Sequence, residues 1–201
     1  MSKSLGLSIL HSNFAVPMSG PHTHSFFYFF EKVTAYSSQV NLKVVDSISS
    51  SRYLLLEGTF NDKPIYIHNV YAPVNQRDQP SFFDQLPRLD PNVLQIAGGD
   101  FNNIIDRLFD DQSASQQSMP SFQAFQRWRE ECGLIDSWRY MDPDSSDFTH
   151  KSRRIDMILV NEELSFHVYE AKHLQSFSDH KIVRTTFNKN WVKFENKYTL
   201  S

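Results

Sequence analysis

Three things are scarce in this chain. It has one cysteine, Cys132, which rules out an internal disulfide framework and fits a reducing intracellular compartment. It has no apolar run near the ~18 residues that a membrane-spanning helix needs. Its start, Met1-Ser2-Lys3-Ser4, is not followed by the long apolar stretch of a secretory signal. It also has no strong excess of charge of one sign. The formal net charge is −3, so no global basic field advertises nucleic acid, although a local basic rim can still grip a backbone. No internal repeat or linker is found, a nuclear address stays open although no import cluster is seen, and nothing sets the oligomeric state.

What is present is globular. Hydrophobic residues make up 40% of the 201 and aromatics 14%, enough for one domain with a substantial core. Residues 5–10 read as a short apolar strand. Residues 14–24 read as a loop punctuated by Pro17, Gly20 and Pro21. Residues 26–30 are almost wholly aromatic and fit either a buried strand or half of a hairpin. Residues 41–45 alternate. Residues 53–60 and 65–71 form a predicted hairpin around Asn61-Asp62, with Ile65, Ile67, Asn69 and Tyr71 on one face.

Residues 80–89 have helical spacing between Pro80 and Pro87. Residues 93–97 form a continuous apolar strand that Gly98-Gly99 should end. The Ser/Gln-rich stretch 110–119 reads as a surface loop. Ser121 is placed to cap a helix running to Cys132, with Gly133 terminating it. Strands are expected over 154–160, 166–172 and 181–187. This mixture favours an α+β fold, a two-sheet β-sandwich flanked by helices. One domain is expected over residues 1–187, divergent in 1–50, followed by a polar tail, 188–201.

Polar residues with chemical potential gather at the ends of these strands. In Ser178-Asp179-His180, Asp179 is suited to bind a metal or its water. His180 is suited to touch a phosphate oxygen if a carboxylate holds its other nitrogen. Asp156 is the candidate for that carboxylate. Taken alone, the triplet more often marks a surface turn. In Gly98-Gly99-Asp100-Phe101-Asn102, Asp100 can orient or deprotonate a water and Asn102 can donate to phosphate. An Asx-type turn explains the same residues equally well.

The hydroxyl of Tyr71 can reach a phosphate, with Asn69 in support, although a half-buried strand tyrosine is the better reading of Tyr71 alone. Arg153 and Arg154 read as a phosphate clamp or as a charged strand edge. Thr149 reads as a phosphate contact or a turn hydroxyl. Trp138 reads as core packing. His22 and His24 read as a solvated loop rather than a metal pair.

Taken together, Asn69-Val70-Tyr71-Ala72-Pro73, Gly98-Gly99-Asp100-Phe101-Asn102, Gly133-Leu134-Ile135-Asp136-Ser137-Trp138-Arg139, Phe148-Thr149, Arg153-Arg154-Ile155-Asp156 and Ser178-Asp179-His180 resemble the endonuclease/exonuclease/phosphatase superfamily. Within it they look most like the apurinic/apyrimidinic-endonuclease-like domain of LINE-type retrotransposons. The resemblance runs over residues 51–187. It implies a deoxyribonuclease-I-like fold and a metal-dependent hydrolase acting on DNA. It further implies that Tyr71 and Asn102 bind the scissile phosphate, Asp100 aligns the water and Asp156 holds His180. Asp179 would lie beside Mg²⁺ or Mn²⁺, and Thr149 and Ser178 would line the pocket.

One departure is expected to matter. Members of the superfamily open with a strand ending in Asn and a second ending in a metal-binding Glu. Neither pattern is found here: Glu31 follows the aromatic run, and Glu57 reads as mid-strand on a solvent face. The resemblance therefore implies a fold incomplete at its N-terminus, with metal binding weakened. Three readings stay open at this point: a DNA endonuclease of retroelement origin, an inactive remnant that binds nucleic acid, and a phosphoesterase acting on small phosphoesters.

Overall fold

The computed structural model describes residues 5–9, 24–29, 32–37, 41–60, 62–113 and 117–187, and up to residue 41 it describes the backbone alone. In chain order the strands are β1 (Leu5–Ile9), β2 (His24–Phe29), β3 (Lys32–Ser37), β4 (Asn41–Val44), β5 (Tyr53–Phe60), β6 (Lys63–Tyr71), β7 (Leu94–Asp100), β8 (Leu134–Asp136), β9 (Asp156–Asn161), β10 (Val168–Leu174) and β11 (Ile182–Phe187). The helices are α1 (Gln79–Gln85), α2 (Met119–Glu131), α3 (Ser137–Met141) and α4 (Glu162–Ser165). The proline-marked loop 14–23, Glu31 and the tail 188–201 lie outside the described residues, as does the side chain of His24.

Two sheets result. One has six strands in the order β4-β5-β6-β7-β9-β8, and the other five in the order β10-β11-β1-β3-β2. The aromatic run of 26–30 is a hairpin half, since β2 pairs antiparallel with β3. The period-two alternation of the six-stranded sheet sends its side chains to opposite faces. On one face Tyr53, Leu55, Val70, Ala97, Met157 and Leu159 pack under Phe83 of α1 and Phe125 and Trp128 of α2. On the other, Ile65, Ile96, Ile158 and Val160 meet Val183 and Phe187 of β11. The expected α+β sandwich with helices outside is the observed architecture.

Three local expectations need correction. Gly98-Gly99 does not end β7, which continues to Asp100. The role of Gly99 is clearance: its φ is +137°, and a Cβ there would lie 2.0 Å from the Val70 carbonyl oxygen, so only glycine lets β6 and β7 run this close. Helix α2 starts earlier than expected. Ser118 is its N-cap residue without a side-chain cap bond. Ser121 is instead buried among Gln79, Asn103 and Gln117.

Nor is 110–119 a surface loop at its ends. Asp110 is fully buried and Gln117 nearly so. The short elements β8, α3 and α4 leave too little periodicity to be read from sequence.

Candidate active site

Strand pairing assembles the site. β6 and β7 run parallel, with Tyr71 opposite Asp100. β9 runs antiparallel to β7, which sets Asp156 opposite Asp100. The last residues of two strands and the first of a third thus form one row, and the ladder continues beyond it through Ala72 N–H to the Asp100 carbonyl and Phe101 N–H to the Ile155 carbonyl. Asp100 is 4% exposed and Asp156 2%. Two carboxylates held this close and this dry call for positive charge between them.

His180 supplies part of it. The turn before β11 brings its Nδ1 to 2.9 Å from Asp156 Oδ2. Burial of the ring opposes the cation. The hydrogen bond and charge of Asp156, with Asp100 and Asp179 behind it, outweigh that burial and hold the His180 pKa above the ordinary histidine value. The turn itself is tied by Ser178, whose hydroxyl accepts from His180 N–H at 3.1 Å and donates to the His180 carbonyl at 3.0 Å. Ser178 thus positions His180 and remains exposed.

Several expected phosphate ligands have other partners. Asn102 sits at a φ of 45°. Its backbone N–H donates to Asp100 Oδ1 at 2.8 Å, and its amide nitrogen donates to Asp100 Oδ2 and to the Ala72 carbonyl, both at 3.0 Å. Asn102 orients Asp100 rather than presenting a donor outward. Thr149, expected to touch phosphate, is 1% exposed. Its hydroxyl oxygen accepts from Ile155 N–H at 3.1 Å and Asp156 N–H at 3.0 Å, which pins the entry of β9. Asn69 is buried on the row's own strand. Tyr71 is half-buried at the rim, with the Arg52 guanidinium 5.0 Å from its ring centre.

The expected arginine clamp does not form. Arg154 is 1% exposed. It pairs with Asp110 through Nε and one terminal nitrogen, both at 2.9 Å, and with Asp136 at 2.5 Å. Its guanidinium also lies 5.1 Å from the Trp138 ring centre. A cation so enclosed cannot reach a nucleic-acid backbone. Burial works against its charge, and the two carboxylates raise its pKa above the ordinary arginine value all the same. Arg153 is only partly buried, and its guanidinium is engaged by Asp111 and Gln117.

The sequence reading overlooked His150. Its ring stacks on that of His180, with centroids 4.2 Å apart and planes 11° from parallel. Its Nε2 lies 3.1 Å from Asp179 Oδ2. What little desolvation Asp179 suffers opposes ionisation, and the His150 bond and the charges around it hold its carboxyl below the ordinary aspartate value. The clue was its position directly after Thr149, in a turn that pairs back to His180. An open cleft of about 240 Å³ adjoins this corner, with Lys151 and Lys181 on its walls.

Among the described residues two groups of side chains have the donor atoms for a cation. Asp100, Asp156 and His180 bring one ligand atom each to within 4.8 Å of one another, and so do His150, Asp179 and His180. The two carboxylates of the first group suit a hard divalent ion. Asp156 Oδ1 is buried without a hydrogen-bond partner, and an orphaned carboxylate oxygen beside a second carboxylate is what such an ion satisfies. Glu57 is exposed in β5, as expected, and takes no part.

No protein-family model and no curated protein matches the chain. Solved structures do. An AP endonuclease from Archaeoglobus fulgidus superposes with a TM-score of 0.63 over 82% of this chain and 78% of that one, at 15% identity. The endonuclease domain of TRAS1, a telomere-specific non-LTR retrotransposon, gives 0.60 over 82% and 78% at 14% identity. A 3′-5′ exonuclease from Neisseria meningitidis gives 0.59 over 83% and 79% at 16% identity. The fold is the deoxyribonuclease-I-like one. At these identities the likeness is one of fold, and the chemistry rests on the row of residues described above. Among the described residues no helix is long and apolar enough to cross a membrane.

Proposed function

We propose that this chain hydrolyses phosphodiesters with the help of a divalent metal, acting as a DNA endonuclease of retroelement type. The observation that carries the reading is the Asp156–His180 pair, 2.9 Å apart, set against Asp100 at the strand ends of a fold shared with nucleases. Asp100, with both oxygens oriented by Asn102, takes a proton from the attacking water. Asp156 favours the cation of His180, and the ring offers an N–H to the phosphoryl oxygens as negative charge grows there. Asp156 fixes the tautomer and direction of that ring. Tyr71 and Lys151 stand at the edges where a DNA strand would lie. Mg²⁺ or Mn²⁺, held by Asp100 and Asp156 with Asp179 nearby, would neutralise charge on the scissile phosphate.

Incubation of supercoiled plasmid with the protein and Mg²⁺ or Mn²⁺ tests this. Nicking is expected, and His180→Ala and Asp100→Ala should each lower it by about two to four orders of magnitude. Absence of nicking at high protein concentration overturns the reading, as does nicking that persists in both variants.

A second reading, a domain that binds nucleic acid without cutting it, draws support from the inward-directed amide of Asn102. It predicts retention of a DNA fragment in a gel-shift assay with no nicking in either metal. Cleavage of a soluble phosphoester alone would point to small substrates instead.

A further inference from the structure

We propose that His150, Asp179 and His180 form a second cation site, one that takes an imidazole-preferring divalent ion of the Zn²⁺ class rather than Mg²⁺. Two imidazoles and one carboxylate suit zinc and its neighbours, whereas Mg²⁺ prefers oxygen ligands. The three ligand atoms already lie within 4.8 Å of one another.

One ligand is fixed and two can adjust. Asp156 binds His180 Nδ1 at 2.9 Å, which commits Nε2 as the atom His180 offers. This is the carboxylate–histidine arrangement that orients metal-binding imidazoles. Asp179 is 70% exposed at its side chain and His150 21%. His150 is carried on a short turn closed by its own backbone bonds with Arg153, at 3.0 and 2.9 Å. Parallel rings 4.2 Å apart cannot both aim a lone pair at one ion, so His150 tilts out of the stack on binding. Its turn stays in place while the side chain moves. Three protein ligands leave a fourth position open, on the side of the cleft.

Zn²⁺ on Nε2 would displace the proton through which His180 meets phosphate in the hydrolysis proposed above, so the site stands apart from that reading and binding is read without activity. Equilibrium dialysis of the full chain against ⁶⁵Zn²⁺ in millimolar Mg²⁺ should give one equivalent that His150→Gln and Asp179→Asn each weaken at least tenfold. Co²⁺ in place of Zn²⁺ should give a visible absorption band that both variants lose. Asp179 is exposed, so its variant keeps the test sound if His150→Gln misfolds. A chain with His22→Ala, His24→Ala and Cys132→Ser should keep the equivalent. Wild-type protein that takes up no Zn²⁺, or variants that bind it as tightly as wild type, overturns the site, whatever the nicking assay shows.

Discussion

Thr149 carries no charge and touches nothing outside the protein, yet it fixes the position of Asp156. Its hydroxyl satisfies two buried N–H groups at the entry of β9. Thr149→Val removes the one oxygen that accepts from both, and each orphaned donor costs about 1–3 kcal/mol. The urea midpoint should therefore fall, and Thr149→Ser should restore it. Nicking should track the midpoint if the hydroxyl only positions. At this scale pH also has a sign. His180 has a folded pKa above its unfolded one, so its pairing with Asp156 contributes fully below about pH 6.5 and fades as pH rises through the folded value.

His68 behaves in the opposite sense. Burial, opposed by the side-chain oxygen of Gln95, lowers its pKa to about 4. Its contribution is present above about pH 6.5 and is lost as pH falls from there through about 4. Urea midpoints measured across pH should thus decline on both flanks. Asp156→Asn should flatten the alkaline one and leave the acid one. The reactive residues were legible because Asp100, Asp156 and His180 sit in short motifs at strand ends. His150 was not, because a histidine in a turn has no pattern of its own until the turn is seen folded against His180.

Among the elements, β6 and β7 make the demanding contact. The approach of Gly99 to the Val70 carbonyl leaves no room for a methyl group, and its φ disfavours any other residue. Gly99→Ala should destabilise by roughly 3 kcal/mol or more, seen as loss of cooperative unfolding or of soluble protein. Gly133, which ends α2 at a φ of +62°, meets a side-chain atom of Pro91 instead of backbone and should be the milder site. The long strands and helices could be read in advance because each keeps one period over its length. The three-residue β8 and five-residue α3 could not. Their cue is Asp136, whose carboxylate caps α3 by accepting from Trp138 N–H and Arg139 N–H while also pairing with Arg154.

For the molecule as a whole, Arg154 joins regions that the sequence keeps far apart. It ties Asp110, at the edge of the loop after β7, to Asp136 at the cap of α3, with Trp138 against its guanidinium. Two adjacent arginines look alike in sequence. Only the distant partners show that one is structural. Arg154→Met should cost about 3–5 kcal/mol by leaving Asp136 buried without its ion pair and Asp110 with Arg139 alone. DNA affinity per folded molecule should stay unchanged in a filter-binding assay, whereas a phosphate clamp would lose affinity and keep its stability.

The row of Tyr71, Asp100 and Asp156, closed by His180, has a consequence for how the molecule is made. These residues become neighbours only after β6, β7 and β9 have paired and the turn into β11 has come home. Such distant closures form late. A ribosome-bound chain that has emerged only as far as β7 holds the carboxylate of Asp100 without Asp156 and His180. The row is complete only once the chain through β11 has been synthesised.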